Sequence, residues 1–489
     1  MDKKKSLLGR SSRNEPFYIT TTLPYVNAKP HIGFALEIVQ ADAIARYHKL
    51  LGDEVFFNFG TDEHGLKIYH KAQEAGKESQ IYVDEYAAKF DELKKALNLS
   101  YNNFIRTTDP HHIKAAQEIW KRCNDDGYIE KGVYKAKYCV GCELEKQDSE
   151  LVDGKCPIHP GQELQLIEEE NYFFKFSKFQ DKLLGLYKNN PDFVIPKNRL
   201  VEITNFVISG LQDFSISRLK EKMPWGVPVP GDDKQVMYVW FDALTNYISA
   251  LGWPEDKEHF TKFWGTKNKP NAIQVAGKDN LRQQSAMWQA MLMAADLPLT
   301  KQILIHGFLT IGGKKISKSS GESVDPVEYV DKYGTDALRY YLMAKINPFE
   351  DSDFTKESFE QAYQADLANG LGNLVARVAR LAELNKVNAG KSGMHEFDKF
   401  VVEAINQYRF DWAIDEIWKN ISKLDDVINK EELWKNTSTK IPVLVDIIEE
   451  IRQIAYDLKP FLPETAEKIE NQFKGPKIKS SEPLFPRLR

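Results

Sequence analysis

Short apolar runs and helical periodicity alternate along the first part of the chain. Phe17–Thr22 is a β-branched and aromatic run that predicts a buried strand. From Ile32 onward apolar residues recur every three or four positions, which predicts a helix, and Glu54–Phe59 is a second buried run. The order strand, helix, strand predicts a βαβ unit, although no GxGxxG motif accompanies it. An amphipathic stretch at Ile81–Leu97 predicts a surface helix.

The same alternation returns later in the chain. Val236–Phe241 predicts a strand, followed by a helix that starts at Asp242. Ile273–Val275 and Ile303–Ile305 predict further buried strands. Because strands alternate with helices on both sides of an intervening segment, we expect an α/β fold in which one Rossmann-type parallel sheet is split by an insertion.

From Glu357 onward the period is helical throughout, which predicts a C-terminal α-helical bundle of about four to five helices. The first of these helices carries an apolar stripe: Phe359, Tyr363, Leu367, Leu371, Leu374, Val378 and Leu381. The patterns together predict six segments: a disordered tail at 1–15, the first half of the Rossmann domain at 16–127, a connective insertion at 128–211, the second half at 212–321, a connector with a short helix at 322–356, and the helical domain at 357–489.

Composition and charge argue against a protein that binds nucleic acid by its overall charge, a membrane protein and a secreted protein. The chain has 489 residues and a net charge of −5, so attraction of the whole molecule to nucleic acid is not expected and any such surface must be local. No apolar run approaches the roughly 20 residues of a membrane span. The basic N-terminal sequence lacks the apolar core of a secretion signal, which favours a cytoplasmic location.

Three of the four cysteines belong to the clearest metal motif in the chain. Cys139 and Cys142, and then Cys156 and His159, form two pairs that are each separated by two residues. Three thiolates and one imidazole predict a closed, tetrahedral, structural zinc site with one Zn²⁺ per chain. The alternative is a degenerate knuckle that has lost its metal. Cys123 is left over and is expected to be a buried apolar residue.

Polar residues beside the predicted strands are candidates for chemistry, because ligands of parallel sheets collect at the carboxyl ends of strands. Asp62 follows the second strand and is a candidate partner for an amine, with His64 as a polar contact nearby; capping of the next helix is the alternative for Asp62. His31 and Gly33 lie where the first helix begins, and free N–H groups at such an end attract phosphate. An ordinary capping histidine is the alternative.

Two further stretches carry possible binding residues. Lys315 and Lys318 belong to the loop IGGKKISKSSG, whose ammonium groups could neutralise a departing polyphosphate; a plain lysine-rich surface loop is the alternative. An aromatic and apolar set would either line a pocket for a small apolar side chain or belong to the core: Trp240, Ala243, Leu244 and Tyr247.

The sequence PHIG at 30–33 and the sequence KISKS at 315–319 resemble the paired HIGH and KMSKS signatures of class I aminoacyl-tRNA synthetases. Within that class, TLPYVN, GTDEHG, FIRTTDP, YVWFDALTNYI and HGF are similar to the methionyl-tRNA synthetase family. The resemblance implies a methionine–tRNA ligase, which activates L-methionine with Mg²⁺ and ATP to methionyl-adenylate. It then transfers the methionyl group to tRNA(Met), including the initiator tRNA.

The resemblance also implies roles for single positions. Lys318 would stabilise the transition state of activation, Asp62 would hold the α-ammonium group of methionine, and Arg218 its α-carboxylate. The expected ATP contacts are His31, Gly33, Asp279, Lys315 and Lys318, of which Asp279 would bind the ribose. The expected methionine pocket comprises Leu23, Tyr25, Asp62, Arg218, Trp240, Ala243, Leu244, Tyr247 and Gln284.

Two positions depart from the family pattern. The first signature ends in Phe34 instead of a histidine, so His31 and the lysines would carry more of the phosphate contacts. Gln284 stands where the family usually has a histidine that lines the methionine pocket. The amide of a glutamine can still donate a hydrogen bond to a substrate.

The helical domain holds a candidate RNA surface. Asn373 and Arg377 lie one helical turn apart, and Trp434 follows a later helix. An Asn, an Arg and a Trp could read and stack unpaired bases, with packing and solvated surface as the alternative from the residues alone. In the family, matching positions form the site for the CAU anticodon.

Rival functions lie inside and outside this family. Leucyl, isoleucyl and valyl enzymes usually carry a much larger insertion, and cysteinyl enzymes place zinc in the amino-acid site. A catalytically inactive tRNA-binding protein on the same scaffold is the rival from another class. A monomer is expected, because no appended tRNA-binding or dimerising module follows the helical domain.

Overall fold

The computed structural model describes residues 13–142, 144–146, 150–312, 314–315, 324–435 and 439–488. Most of the tail predicted at 1–15 lies outside these residues. The described strands are β1 (Pro16–Thr21), β2 (Glu54–Thr61), β3 (Asn103–Arg106), β4 (Ile129–Cys139), β5 (Leu144–Lys146), β6 (Gln165–Phe174), β7 (Val194–Ile195), β8 (Phe214–Ser215), β9 (Ser217–Leu219), β10 (Pro228–Val229), β11 (Asp232–Met237), β12 (Gly265–Thr266), β13 (Lys269–Pro270), β14 (Ala272–Gly277), β15 (Gln302–His306), β16 (Leu309–Ile311), β17 (Lys314–Lys315) and β18 (Ser352–Asp353).

The described α-helices are α1 (Ile32–Leu50), α2 (Leu66–Glu74), α3 (Ser79–Ala96), α4 (Pro110–Asp125), α5 (Gln180–Asn189), α6 (Lys197–Ile208), α7 (Val239–Ala243), α8 (Asn246–Ser249), α9 (Lys257–Trp264), α10 (Trp288–Ala294), α11 (Pro326–Tyr333), α12 (Thr335–Ala344), α13 (Lys356–Ala362), α14 (Gly372–Leu384), α15 (Lys399–Asn406), α16 (Phe410–Lys430), α17 (Ile441–Leu458) and α18 (Pro463–Phe473). Two π-helical segments are at Gln283–Met287 and Tyr363–Leu371. No described helix is long and apolar enough to cross a bilayer.

The chain folds into two compact units, each built from several segments. The first unit contains Met1–Lys29, Gly52–Glu92 and Tyr101–Ile305. The second unit contains Pro30–Leu51, Leu93–Ser100 and His306–Arg489.

The first unit is built on the predicted parallel sheet. Among the described residues the sheet has six strands in the order β3-β2-β1-β14-β15-β7. β1 pairs in parallel with β2 and β14, β2 pairs in parallel with β3, and β15 pairs in parallel with β7. The Rossmann-type fold class is therefore confirmed. β7 comes from the segment predicted as an insertion, so that segment also supplies an edge strand of the main sheet.

A second sheet forms the lobe between the two halves. Its order is β5-β4-β6-β8 in the described residues, and a long antiparallel ladder joins β4 to β6 from Ile129–Phe174 to Tyr138–Gln165. β6 ends at Phe174, and a short 3₁₀ helix follows at Phe176–Phe179. Cys123 is fully buried, as expected, and burial raises its pKa.

The strand predicted at Val236–Phe241 is wrong over its second half. β11 ends at Met237, and α7 begins at Val239 with Tyr238 in the extended N-cap position. β11 also belongs to a small antiparallel sheet with β10 and β9 instead of the main sheet. Apolar residues all along this stretch fit either element, because both the end of β11 and the whole of α7 are nearly enclosed.

The second unit contains the predicted helical bundle, whose last three described helices are α16, α17 and α18. The predicted stripe from Phe359 to Leu381 is buried along its whole length. Its first members are spaced by four residues, which exceeds the 3.6 residues of an α-helical turn. The π-helical segment Tyr363–Leu371 has more residues per turn and so keeps these side chains on one face. The predicted connector contains two helices, α11 and α12, instead of one short helix.

Arg339 is the most heavily bonded side chain of α12. It is fully buried and donates to the carbonyl oxygens of Leu97, Pro460 and Phe461 at 2.7–3.1 Å. It also forms a 2.8 Å ion pair with Asp42 of α1. Burial would raise the pKa of Asp42, but the charges of Arg339 and Arg46 outweigh burial and lower it.

We predict that Arg339→Ala destabilises the second unit by about 3–5 kcal/mol, because it leaves the Asp42 carboxylate and several carbonyl groups buried without this donor. Urea unfolding followed by circular dichroism measures the effect. The matched control is Arg380→Ala, which removes an exposed ion pair with Glu383 and should cost at most about 1 kcal/mol. Equal losses in the two variants would contradict the prediction.

Candidate active site and metal cluster

The four predicted metal ligands converge in the lobe of the first unit. The ligand atoms of Cys139, Cys142, Cys156 and His159 all lie within 4.8 Å of one another. Cys142 Sγ is 3.5 Å from Cys156 Sγ and 3.2 Å from His159 Nδ1. A tetrahedral zinc ion with Zn–S bonds of about 2.3 Å separates its ligand atoms by roughly 3.5–3.8 Å. These residues could therefore hold a metal ion with all four positions filled by protein.

The surroundings of the cluster keep its ligands together. A Cβ atom at Gly141 would come within 2.6 Å of the His159 ring, so only glycine lets the turn close on that ring. Lys67 of α2 donates from Nζ to the Gly141 carbonyl oxygen at 3.1 Å. Burial, together with the charges of Lys67 and Lys146, lowers the pKa of His159 and favours the neutral imidazole that a metal requires.

The loop after β1 lies beside the end of β2. Tyr25 and Asp62 form a parallel bridge, in which Asp62 N donates to the Pro24 carbonyl at 3.0 Å and Val26 N donates to the Asp62 carbonyl at 3.2 Å. Asp62 is buried, and the N-cap of α2 is Gly65 without a side-chain cap. The helix-capping alternative for Asp62 is therefore wrong, and its carboxylate remains a candidate for binding an amine. Leu23, in the same loop, is half-buried.

The aromatic set predicted after β11 is divided between two environments. Tyr25 and Trp240 pack against a small cluster that contains Tyr238, Val239 and Ala243. Trp240 Nε1 is buried and has no hydrogen-bond partner among the described residues. By contrast, two members of the set belong to the main core of the unit: Leu244 and Tyr247.

Gln284, the second departure from the family pattern, lies in the π-helical segment Gln283–Met287 and is buried. Its Nε2 donates to the hydroxyl oxygen of Tyr247 at 2.5 Å. The structure therefore joins two of the expected pocket residues directly. π-Helical turns are frequent at functional sites, because they displace one residue from the regular helical face.

Arg218 extends from β9 into a cavity of about 530 Å³ that is lined partly by the metal lobe. Its guanidinium lies 4.5 Å from the centre of the Tyr238 ring and donates to Ser215 Oγ at 2.7 Å. Through Tyr238 it borders the cluster around Trp240. Its assignment to the methionine carboxylate stays a prediction.

The start of α1 is closed by its own neighbours. His31 Nδ1 accepts from Gly33 N at 3.1 Å, and Ile32 N donates to the Val324 carbonyl at 3.0 Å. The amides of Phe34 and Ala35 both donate to the His31 carbonyl. The prediction of free N–H groups at this helix end is therefore wrong. A Cβ atom at position 33 would lie 2.9 Å from the His31 ring, so a larger residue there would displace the ring that caps α1.

Within the second unit, the helix that follows the first signature is bonded to residues on either side of the lysine loop. Val324, the acceptor of the Ile32 amide, is the first described residue after the lysine loop. On the other side of that loop, His306 Nε2 lies 2.9 Å from a carboxylate oxygen of Glu37, which belongs to α1. The backbone of Lys315 pairs with Thr310 in the β16–β17 hairpin, and Lys318 lies outside the described residues. α1 is thus bonded to both flanks of the loop.

The remaining predicted site residues are exposed or partly exposed. Asp279, in the first unit, is exposed at the carboxyl end of β14. In the second unit, the Arg377 guanidinium lies 4.9 Å from the centre of the half-exposed Trp434 ring and donates to Asn429 Oδ1 at 2.9 Å. Asn373 is exposed one turn earlier on α14. The structure thus brings Arg377 and Trp434 together.

Comparison with known proteins supplies the family. A model of the class I tRNA synthetases, described as "tRNA synthetases class I (M)", matches residues 17–166 and 158–379. The chain belongs to this family. It is an aminoacyl-tRNA ligase, and the class I synthetase fold explains the split parallel sheet with its inserted lobe.

Individual relatives match almost the whole chain. The chain is 39% identical to a methionine–tRNA ligase of Clostridium acetobutylicum, over 98% of this chain and 79% of that protein. It is 40% identical to a methionine–tRNA ligase of Thermosynechococcus vestitus, over 93% of this chain and 89% of that protein. Among solved structures, methionyl-tRNA synthetase of Mycobacterium tuberculosis in complex with methionyl-adenylate is 34% identical with a TM-score of 0.88, over 97% of this chain and 100% of that chain. The free form of that synthetase has a TM-score of 0.81.

Sequence reasoning about this synthetase missed a buried acid between two imidazoles. Asp242, the fourth residue of α7, is fully buried. Its carboxylate accepts from His64 Nδ1 at 2.6 Å and from His112 Nε2 at 2.8 Å. His112 Nδ1 lies 2.8 Å from Ser249 Oγ, and the Tyr25 hydroxyl donates to the His64 carbonyl at 2.6 Å. The network therefore joins α7, α4, α8 and the loops that carry Tyr25 and Asp62.

A signal for this network was present in the sequence. Asp242 stands in an otherwise apolar and aromatic stretch, and a lone acid there needs donors from elsewhere in the chain. Burial raises the pKa of Asp242, but His64 and His112 outweigh burial and lower it to about 2.

We predict that Asp242 contributes to stability in a pH-dependent way. Because its folded-state pKa is about 2 and the ordinary value is 3.8, its contribution is complete above about pH 4 and is lost as the pH falls toward 2. The difference in unfolding free energy between the wild type and Asp242→Asn should therefore shrink by about 2 kcal/mol over that interval. Urea titrations at several pH values measure it.

The matched control for this prediction is Asp233→Asn, which removes an exposed carboxylate of β11. Its difference from the wild type should change little over the same interval. A wild-type advantage over Asp242→Asn that stays constant from pH 5 to about pH 2 would show that the His64–Asp242–His112 contacts do not depress the acid's pKa.

Proposed function

We propose that the chain activates L-methionine with Mg²⁺ and ATP, giving methionyl-adenylate and pyrophosphate, and then transfers the methionyl group to tRNA(Met), including the initiator. The observation that supports this most strongly is the joining of α1 to both flanks of the lysine loop, through Ile32–Val324 and Glu37–His306. Bonds at both flanks would keep the lysine loop near the start of α1, as a shared nucleotide site requires.

The amino acid would bind in the first unit. Asp62 would accept hydrogen bonds from the α-ammonium group, because it is a buried carboxylate beside the half-buried Tyr25. Arg218 would hold the α-carboxylate. The side chain of methionine would contact an aromatic and apolar wall comprising Leu23, Tyr25, Trp240, Ala243, Leu244, Tyr247 and Gln284.

The first chemical step needs no protein nucleophile. A carboxylate oxygen of methionine attacks the α-phosphorus of ATP, and the bond from that phosphorus to the bridging oxygen of pyrophosphate breaks. Negative charge grows on the departing oxygens, and Lys315 and Lys318 would stabilise it, with His31 contacting phosphate. Asp279 would bind the ribose, and Gly33 would allow the adenine to approach closely. Positioning and charge stabilisation would therefore supply most of the rate.

In the second step, a hydroxyl of the terminal ribose of the tRNA attacks the methionyl carbonyl, and AMP leaves. We infer that the helical domain at 357–489 binds the CAU anticodon through Asn373, Arg377 and Trp434. An arginine held against a half-exposed tryptophan offers a cation and a stacking face for an unpaired base. We further propose that the enzyme acts in the cytoplasm as a monomer.

The four ligands Cys139, Cys142, Cys156 and His159 would hold one Zn²⁺. Three thiolates favour zinc over magnesium or calcium, and the ligand spacing suits a tetrahedral ion. When bound, the ion would crosslink the turn after β4 to the turn after Lys155 and so fold the lobe. No ligand position would remain open for a substrate.

We predict that methionine supports ATP–pyrophosphate exchange, and that leucine, isoleucine, valine and cysteine do so far less. Lys318→Ala should slow methionine-dependent exchange by about 10²–10³-fold, because it removes a cation from the transition state. The matched control is Lys332→Ala, which changes an exposed lysine paired with Glu360 and should leave exchange unchanged. Unaltered exchange in Lys318→Ala would refute its role, and exchange driven by another amino acid would change the substrate.

We predict about one zinc ion per chain by metal analysis of the purified protein. Cys142→Ser should reduce the bound zinc to less than half and lower the midpoint of thermal unfolding, because one thiolate of a closed site is lost. Cys123→Ala changes a cysteine outside the cluster and should retain the metal. Zinc content below about half an ion per chain in the wild type would reject the zinc proposal.

A further inference from the structure

A row of buried polar side chains in the first unit, three amides and one hydroxyl, is hydrogen-bonded in sequence to Tyr247. It consists of Gln289 on α10, Thr300 before β15, Gln274 on β14 and Gln284 in the π-helical segment. Each of these side chains is at most 2% exposed. Polar groups buried so completely must satisfy one another, because water does not reach them.

A backbone amide fixes the direction of the hydrogen bonds along the row. The N–H group of Thr300 donates to Gln289 Oε1 at 3.2 Å. A backbone N–H group can only donate, so the oxygen of the Gln289 side chain must face it. Gln289 Nε2 then donates to Thr300 Oγ1 and to the Gln284 carbonyl oxygen, both at 3.0 Å.

The same reasoning fixes the next three groups. Thr300 Oγ1 accepts from Gln289 and donates to Gln274 Oε1 at 2.7 Å. Gln274 Nε2 donates to Gln284 Oε1 at 3.1 Å, which leaves Gln284 Nε2 to donate to the Tyr247 hydroxyl oxygen at 2.5 Å. A flip of the Gln284 amide would place its N–H groups opposite those of Gln274, whereas the Tyr247 hydroxyl could meet either side of the amide. The contact with Gln274 therefore sets the direction.

We propose that Gln274, Gln289 and Thr300 are positioning residues that hold the Gln284 amide with its N–H side toward Tyr247, and thereby select the thioether of methionine. A thioether sulfur is a weak hydrogen-bond acceptor, whereas the methylene group of an isosteric analogue is not an acceptor. In this direction the Gln284 amide donates to the Tyr247 oxygen, and the Tyr247 O–H group then donates toward the sulfur. This inference rests on the proposed placement of Gln284 and Tyr247 in the methionine pocket.

Gln274→Glu tests the row, because it should reverse the orientation of the Gln284 amide. The new carboxylate still accepts from Thr300 Oγ1, but it cannot donate to Gln284 Oε1, so the Gln284 amide must turn its N–H side away from Tyr247. Exchange assays with methionine and norleucine, in which a methylene group replaces the sulfur, measure the consequence. We expect the ratio of kcat/KM for methionine to that for norleucine to fall by about tenfold through the amino-acid KM, with the KM for ATP unchanged.

A pair of variants at Thr300 distinguishes loss of the hydrogen bond from loss of folding. Thr300→Val removes the hydroxyl and should lower the same ratio, whereas Thr300→Ser keeps the hydroxyl and should preserve it. Gln302→Glu makes the same chemical change on β15, outside the row, and should also preserve it. Equal losses for both substrates in Gln274→Glu and Thr300→Val, with an unchanged ratio, would show a structural role only and overturn the proposal. Failure of the wild type to respond to methionine would instead overturn the proposed function.

Discussion

Asp242 is a carboxylate without solvent contact, and much of the candidate methionine site is arranged by the need to satisfy it. Its two donors come from separate parts of the first unit, His64 after β2 and His112 on α4. Because His64 also holds Tyr25 through its carbonyl group, the same bonds fix the loop after β1. A short helix such as α7 has little stability of its own, so these contacts determine where Trp240 and Ala243 lie.

The second unit also contains a fully buried carboxylate, Asp42, which forms an ion pair with Arg339. The acid lies on α1, eight residues after Phe34. The arginine on α12 binds both this acid and the backbone before α18. The helix that His31 caps is therefore fixed at its centre by an ion pair and at its start by the Ile32–Val324 bond. Rigid placement of α1 matters because a nucleotide site tolerates little displacement of its contacts.

Much of this arrangement could be predicted from the sequence, and the exceptions have physical reasons. The strands β1, β2, β14 and β15 and the metal cluster follow from apolar runs and from ligand spacing, which are local signals. The end of β11 was not predictable, because residues enclosed on all sides carry no alternation that separates strand from helix. The hydrogen bonds of Asp242 join residues far apart in the chain, and a single sequence does not show which distant partners meet.

The sequence around Gln274 does indicate a buried polar contact. Gln274 is a lone amide in a strand whose other members are apolar or glycine, and the whole strand is buried. A polar residue in such a strand requires a buried partner, so a second amide nearby was to be expected. What the sequence could not supply is the direction of the bonds, since that depends on a backbone N–H group of Thr300.

The two departures from the family signatures are alike in replacing an imidazole by a group that suits its neighbour. Phe34 lies with its ring centre 4.4 Å from that of His31 and so packs against the ring that caps α1. The Gln284 amide accepts a hydrogen bond from Gln274 and donates one to the Tyr247 hydroxyl oxygen. In both places a group that titrates near neutral pH is replaced by one that does not. The side chains of Phe34 and Gln284 therefore keep the same charge at every pH, and their shape and hydrogen-bonding groups determine what they contact.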